Sequence, residues 1–127
     1  MLETMVWPMS DLTGKTFIIT GGNGGIGLGM AEGIVSAGGS VVIWGRNEGK
    51  NAEAVASLEA RGGKATAFVC DVTDEEQVVE TTQRSAEAFG RLDGLFANAG
   101  RGGTKVPFLQ LSLEDWRAVM DTNLDGV

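Results

Sequence analysis

Apolar positions along this chain keep two rhythms. Phe17-Ile18-Ile19 and Val41-Val42-Ile43-Trp44 are unbroken apolar runs, the pattern of strands buried on both faces. The first predicts a strand over Lys15 to Thr20. Between the runs, Ile26, Met30, Ile34 and Val35 recur at helical spacing and predict the inward face of a first helix, which Gly38-Gly39 ends. Asn47 is placed to cap a second helix carrying Val55 and Leu58, stopped by Arg61-Gly62-Gly63. Ala67-Phe68-Val69 marks a third strand. Thr73 and Glu76 have capping-box spacing and open a third helix, whose inward face is read as Val78, Val79, Thr82, Ala86 and Phe89, with Gly90 closing it. A fourth strand is expected from Leu92 to Ala97. After a Gly-rich connection, Arg101 to Leu111 with Pro107, Ser112 caps a last helix containing Trp116, Val119, Met120 and Leu124.

Alternating strands and helices, with strands apolar throughout, predict an α/β fold: a Rossmann-type, doubly wound parallel sheet with helices on both faces. Right-handed crossovers gather the loops that follow the strands along one sheet edge. Ligands of such sheets bind at that edge, where the strand order reverses. Composition narrows the reading further. A length of 127 residues fits one domain. The 20 glycines fall at element ends, without a repeat. A net charge of −7 argues against a nucleic-acid partner, which needs a basic face. With one cysteine, Cys70, no intramolecular disulfide can form. Met1 to Ser10 carries Glu3 and lacks a basic flank, a poor signal peptide, and no apolar run is long enough for a membrane helix. A soluble cytoplasmic protein is the expectation. Metal chemistry has little support: there is no histidine, and Asp74-Glu75-Glu76 suits a helix N-terminus better than a metal.

The chemistry concentrates in Thr20-Gly21-Gly22-Asn23-Gly24-Gly25-Ile26-Gly27, between the first strand and first helix. Glycine permits a turn too tight for side chains and lets backbone approach a pyrophosphate. The helix behind it offers unpaired N–H groups and a positive dipole end.

This stretch resembles the T-G-x-x-x-G-x-G motif of the short-chain dehydrogenase/reductase family, and the resemblance continues in order. Asp71-Val72 after the third strand is similar to the family's D-V pair, which looks toward the adenine. Asn98-Ala99-Gly100 after the fourth is similar to its N-A-G motif, which supports the sheet and the cofactor ribose. Asn123-Leu124 is similar to the helix asparagine of the family's catalytic group. The resemblance spans residues 11–124 and leaves 1–10 as an N-terminal extension. It implies an NAD(P)-dependent oxidoreductase moving hydride between nicotinamide and a small alcohol or carbonyl compound, assembled as a homodimer or homotetramer when complete. The implied cofactor residues are Gly21 to Gly27, Arg46, Asp71, Val72 and Asn98 to Gly100, with Asn123 catalytic.

Cofactor choice is read at the end of the second strand. An acid there bonds the ribose 2′-hydroxyl of NAD, whereas an Arg accommodates the 2′-phosphate of NADP. Trp44-Gly45-Arg46-Asn47 lacks the acid and offers the guanidinium of Arg46. NADP is favoured, and NAD stays open: Glu48 is nearby, and Gly24 stands where many NADP-preferring relatives carry a basic residue. The family's catalytic tyrosine and its Y-x-x-x-K lysine have no counterpart, since the chain has no tyrosine. Nor does Ser112 occupy the family's serine position. These residues are therefore expected to form a fragment, about four strands long and inactive alone. A strand over Leu92 to Ala97 left at an open edge predicts marginal stability or self-association. Two alternatives remain: a non-catalytic dinucleotide-binding module, and an interaction protein pairing through that edge.

Overall fold

A computed structural model describes residues 10–127. The expectations for the N-terminal extension fall almost wholly on residues 1–9, outside the described part. The elements alternate as β1 (Thr16–Thr20), α1 (Gly25–Ser36), β2 (Ser40–Gly45), α2 (Glu48–Ala60), β3 (Lys64–Val69), α3 (Glu75–Phe89) and β4 (Gly94–Phe96). A 3-10 turn, Phe108–Gln110, then leads to α4 (Leu113–Met120) and a π-helical turn, Asp121–Asp125. All strand pairings are parallel, in the order β3-β2-β1-β4. The chain builds outward from β1 through β2 to β3, then returns to the other side of β1. The reversal lies between β1 and β4.

Both sheet faces are covered, as continuous apolar strands require. On one face Ile19, Val41 and Ile43 pack with Ala31, Ile34 and Val35 of α1 and Ala54 and Leu58 of α2. On the other, Ile18, Val42, Trp44 and Cys70 meet Val78 and Phe89 of α3. Successive residues of β1 and β2 thus serve opposite layers, the period-two geometry of a strand. Full burial of each Val or Ile here is worth about 1.5–3 kcal/mol.

Several expectations shift by a residue or two. The N-cap of α3 is Asp74, whose carboxylate accepts from the Gln77 N–H at 3.1 Å, and not Thr73, whose hydroxyl turns back to Asp71. Its fully buried positions are Thr81 and Ser85, while Val79 and Thr82 face out. The reason is the indole of Trp44, which donates at 2.9 Å to Ser85 Oγ; that hydroxyl in turn donates to the Thr81 carbonyl at 2.7 Å. A buried N–H demands an acceptor, so the helix turns Thr81 and Ser85 inward beside Val78 and Phe89, where hydrophobicity alone favours Val79. In the first turn of α1 the inward residue is Gly27, and Ile26 is 76% exposed. Strand β4 is confined to Gly94–Phe96, paired among the described residues with β1 alone, and Leu95 and Phe96 are exposed. Helix α4 has the expected cap, strengthened into a capping box between Ser112 and Asp115. It stops at Met120, so Leu124 falls in the π-helical turn, and both Leu124 and Trp116 are exposed.

The opposite edge of the β1–β4 pair is closed by Asp93. Its carboxylate accepts from the Thr16 N–H at 2.8 Å, is gripped by the Arg91 guanidinium, and lies 3.8 Å from Lys15 Nζ. The Arg91 hydrogen bonds, then the Thr16 N–H, pull its pKa from 3.8 to about 2. A depressed carboxylate contributes stability that is present above its unfolded value and lost as pH falls through the folded one. The thermal midpoint of Asp93→Asn should therefore lie below that of the parent by a constant gap above pH 5. As pH falls from about 4 to 2 the gap should close. A gap unchanged at pH 2 would show that the carboxylate charge is not what closes this edge.

Candidate functional site: the cleft at the strand-order reversal

The turn after β1 is held from below by β4. Thr20 Oγ1 accepts from the Asn98 N–H at 3.0 Å and the Ala99 N–H at 2.9 Å, and donates to the Phe96 carbonyl at 3.4 Å. A hydroxyl has one proton and two lone pairs, and all are used here. The Asn98 amide completes the brace by donating to the carbonyls of Thr20 at 3.0 Å and Gly21 at 3.4 Å. Above this support the chain turns through Gly21, at φ +67°, and Gly25, at φ +52°. Helix α1 then crosses so closely that a Cβ on Gly27 would lie 2.3 Å from the Gly21 carbonyl oxygen and 2.6 Å from Asn98 Nδ2. Only glycine fits. Gly24 is the N-cap of α1 and supplies no side-chain acceptor, and the first turn holds no acid. Among the described residues, the N-terminal N–H groups of this helix have no side-chain cap.

Beside the glycine turn, the ends of β2 and β3 complete a cleft of about 430 Å³. Gly21, Asn23, Gly24, Ile26 and Gly27 line one side, Gly45, Arg46, Asn47 and Lys50 the next, Cys70, Asp71 and Val72 the third, and Asn98, Ala99 and Gly100 the floor. Loops from four strands converge there. Two glycines of the motif stand outside: Gly22 is packed inward against Ile19, and Gly25 starts the helix. Asn123 lies beyond the lining, in the π-helical turn, where Thr122 is the lining residue. Its amide clasps the Arg101 backbone, accepting from the N–H at 2.9 Å and donating to the carbonyl at 3.0 Å. Asn123 therefore anchors the loop after β4 through both of its polar atoms.

Electrostatics inside the cleft are local. The Asp71 carboxylate accepts from the Thr73 N–H at 3.0 Å and its hydroxyl at 2.7 Å, and these bonds hold its pKa below the usual range, with the Arg46 charge a lesser help. Burial pushes the Cys70 thiol up, with the nearby Asp71 and Asp74 charges a lesser push in the same direction. No group of metal-ligating side chains occurs among the described residues.

A model of the short chain dehydrogenase family matches residues 15–127, the stretch that carries all of this geometry. The chain belongs to the short-chain dehydrogenase family. Among its relatives, a 2,5-dichloro-2,5-cyclohexadiene-1,4-diol dehydrogenase of Sphingobium indicum is 43% identical over 118 residues, 93% of this chain and 46% of that protein. A sorbose reductase of Candida albicans is 35% identical over 99% of this chain and 45% of its own length. The chain thus spans about half the length of the curated relatives it matches. Among solved structures, an NAD+-bound xylitol dehydrogenase superposes with a TM-score of 0.86 at 33% identity, covering 92% of this chain and 45% of that one. A metagenomic short-chain oxidoreductase in complex with NADP gives 0.84 at 30% identity, covering 92% and 53%.

Asn51, which supports this short-chain dehydrogenase site, escaped the motif reading, as did Lys50, Cys70 and Thr122 of the lining. Asn51, on α2, is 3% exposed and donates to the Gly45 carbonyl at 2.9 Å while accepting from Asn23 Nδ2 at 2.8 Å. Its signal was available: Asn51, Ala54 and Leu58 share the inward stripe of α2, and a polar residue in such a stripe marks a committed hydrogen-bonding role.

The tightness of the turn can be tested against its own helix. Gly27→Ala should destabilise the protein by about 1–3 kcal/mol, because the colliding atom is backbone. Gly29→Ala, in open space on the same helix, should stabilise it by about 0.5–1 kcal/mol. Urea unfolding of both variants checks the contrast; equal effects would mean that helix propensity alone governs α1.

Proposed function

We propose that these residues form the dinucleotide-binding part of an NAD(P)-dependent oxidoreductase that interconverts a small alcohol and its carbonyl compound. One observation carries the reading: a glycine turn, an uncapped helix N-terminus and Arg46 meet in one cleft at the strand-order reversal. Ligands of open α/β sheets bind at such a point. The residues fit a dinucleotide. Gly21 and Gly24 leave the backbone bare in the cleft beside the start of α1, where a pyrophosphate would find N–H donors and a favourable dipole. Asp71 and Val72 would flank the adenine, and Asn98 to Gly100 would face the ribose on the nicotinamide side. Family relatives solved with NAD+ and with NADP support either dinucleotide.

When bound, the nicotinamide supplies or accepts the hydride. The chain's own residues bind and orient. Asn98 holds the glycine turn in place from below, and Asn123 fixes the loop after β4 on which a substrate would rest. The family's tyrosine and lysine are not among these 127 residues, which contain no tyrosine. These residues alone are expected to bind without turnover. Among the described residues no helix is long and apolar enough to cross a membrane, and we place the whole protein in the cytoplasm, as a homodimer or homotetramer.

At the end of β2, Arg46 would grip the 2′-phosphate and favour NADP, since no acid stands there to hold a 2′-hydroxyl. Charge-assisted hydrogen bonds are worth about 1.5–3 kcal/mol. Arg46→Ala should therefore weaken NADPH binding by about 10- to 100-fold and change NADH binding little. Fluorescence titration of the two reduced cofactors makes the comparison, and equal losses for both would refute the assignment of Arg46.

A further inference from the structure

Gly45 ends β2 with no side chain, and the space above it is taken by two amides. A Cβ there would lie 2.3 Å from Asn23 Nδ2 and 2.4 Å from Asn51 Oδ1. Asn23 comes from the glycine turn and Asn51 from α2, so three segments interlock over the last residue of β2. The orientation of the pair is dictated by chemistry. Asn51 faces two carbonyl acceptors, Gly45 at 2.9 Å and Phe68 at 3.4 Å, and must present its Nδ2 to them. Its oxygen is then turned to Asn23, which must answer with its own Nδ2 at 2.8 Å. The one polar atom of the Asn23 side chain left over is Oδ1, which can only accept. No buried side-chain nitrogen or oxygen among the described residues lacks a partner. Asn23 Oδ1, bonded to none of them, is therefore open to solvent, on a residue that lines the cleft beside Arg46.

We infer that Asn51 is a positioning residue that sets dinucleotide preference through Asn23, by fixing an outward acceptor at the end of β2. The inference rests on the dinucleotide reading of the cleft and deepens it. The end of β2 is where NAD offers a ribose 2′-hydroxyl and NADP a 2′-phosphate. A hydroxyl can donate to Asn23 Oδ1, whereas a phosphate would set acceptor against acceptor. Arg46 and the Asn51–Asn23 relay thus pull in opposite directions. In place of the customary acid, the relay would offer NAD a neutral acceptor.

The test is a comparison of NADH and NADPH dissociation constants in the full-length protein and two variants. Asn23→Ala deletes the acceptor and should weaken NADH by about 2- to 10-fold, the worth of one neutral hydrogen bond. NADPH should be unchanged or tighter. Asn51→Leu keeps Asn23 but frees its amide to rotate and offer Nδ2 to an anion, so it should move the affinity ratio toward NADPH in the same sense. A merely structural role for Asn51 would lower both affinities together and leave the ratio alone. If Asn51→Leu fails to fold, an unmoved ratio in Asn23→Ala still overturns the inference by itself. Parent binding with a ratio unmoved in the folded variants overturns this inference and leaves the dinucleotide reading standing. A parent protein that binds neither cofactor overturns that reading, and the inference with it.

Discussion

Everything at the functional edge hangs on the hydroxyl of Thr20. Thr20 is the last residue of β1, 6% exposed, and its hydroxyl spends every hydrogen-bonding capacity on the end of β4 and the segment that follows it. By doing so it converts the gap between β1 and β4, the one place where sheet order reverses, into a rigid floor. Asn98 returns the favour by holding the carbonyls of Thr20 and Gly21. The glycine turn can then rise steeply, and Gly27 can pass against Gly21 without a void. Unpaired, these buried backbone groups would each cost about 1–3 kcal/mol. Paired, they give the turn a single shape.

A second layer of polar contacts works the same way farther out. Asn51 joins β2, β3 and the glycine turn, while the Trp44–Ser85–Thr81 chain joins β2 to α3. In each, a polar side chain sits in an otherwise apolar stripe, fully satisfied. Such networks set register more than they add stability, because a half-satisfied network is worse than an apolar core. They also explain why helix faces differ from the hydrophobic reading. Ile26 turns out so that Gly27 can turn in, and Val79 and Thr82 turn out so that Thr81 and Ser85 can meet the indole.

Much of the fold was legible residue by residue. Unbroken apolar runs located β1 and β2, glycine pairs located the ends of α1 and α2, and Asn47 and Ser112 proved to be true caps. The family's motifs, in order, assembled most of the cleft. Less legible were the ends of β4 and the break of α4 into a π-helical turn. An outer strand pairs on one side only, so its length follows its neighbour's ladder and not its own apolar run. Asn123 shows the same gap at the site: its position on a helix was readable, but its two-point grip on Arg101 spans 22 residues.

The division is physical. Periodicity, glycine placement and capping residues act over a few positions, so the order of elements, the parallel sheet and the phosphate-binding character of the turn were written locally. Contacts between Thr20 and Asn98, Trp44 and Ser85, or Asn23 and Asn51 join residues 28 to 78 positions apart. Their partners, and therefore which atom each side chain leaves free, exist once the strands have been ordered 3-2-1-4 and the helices laid across them. Local chemistry named the groups at the cleft. Packing chose which way they point.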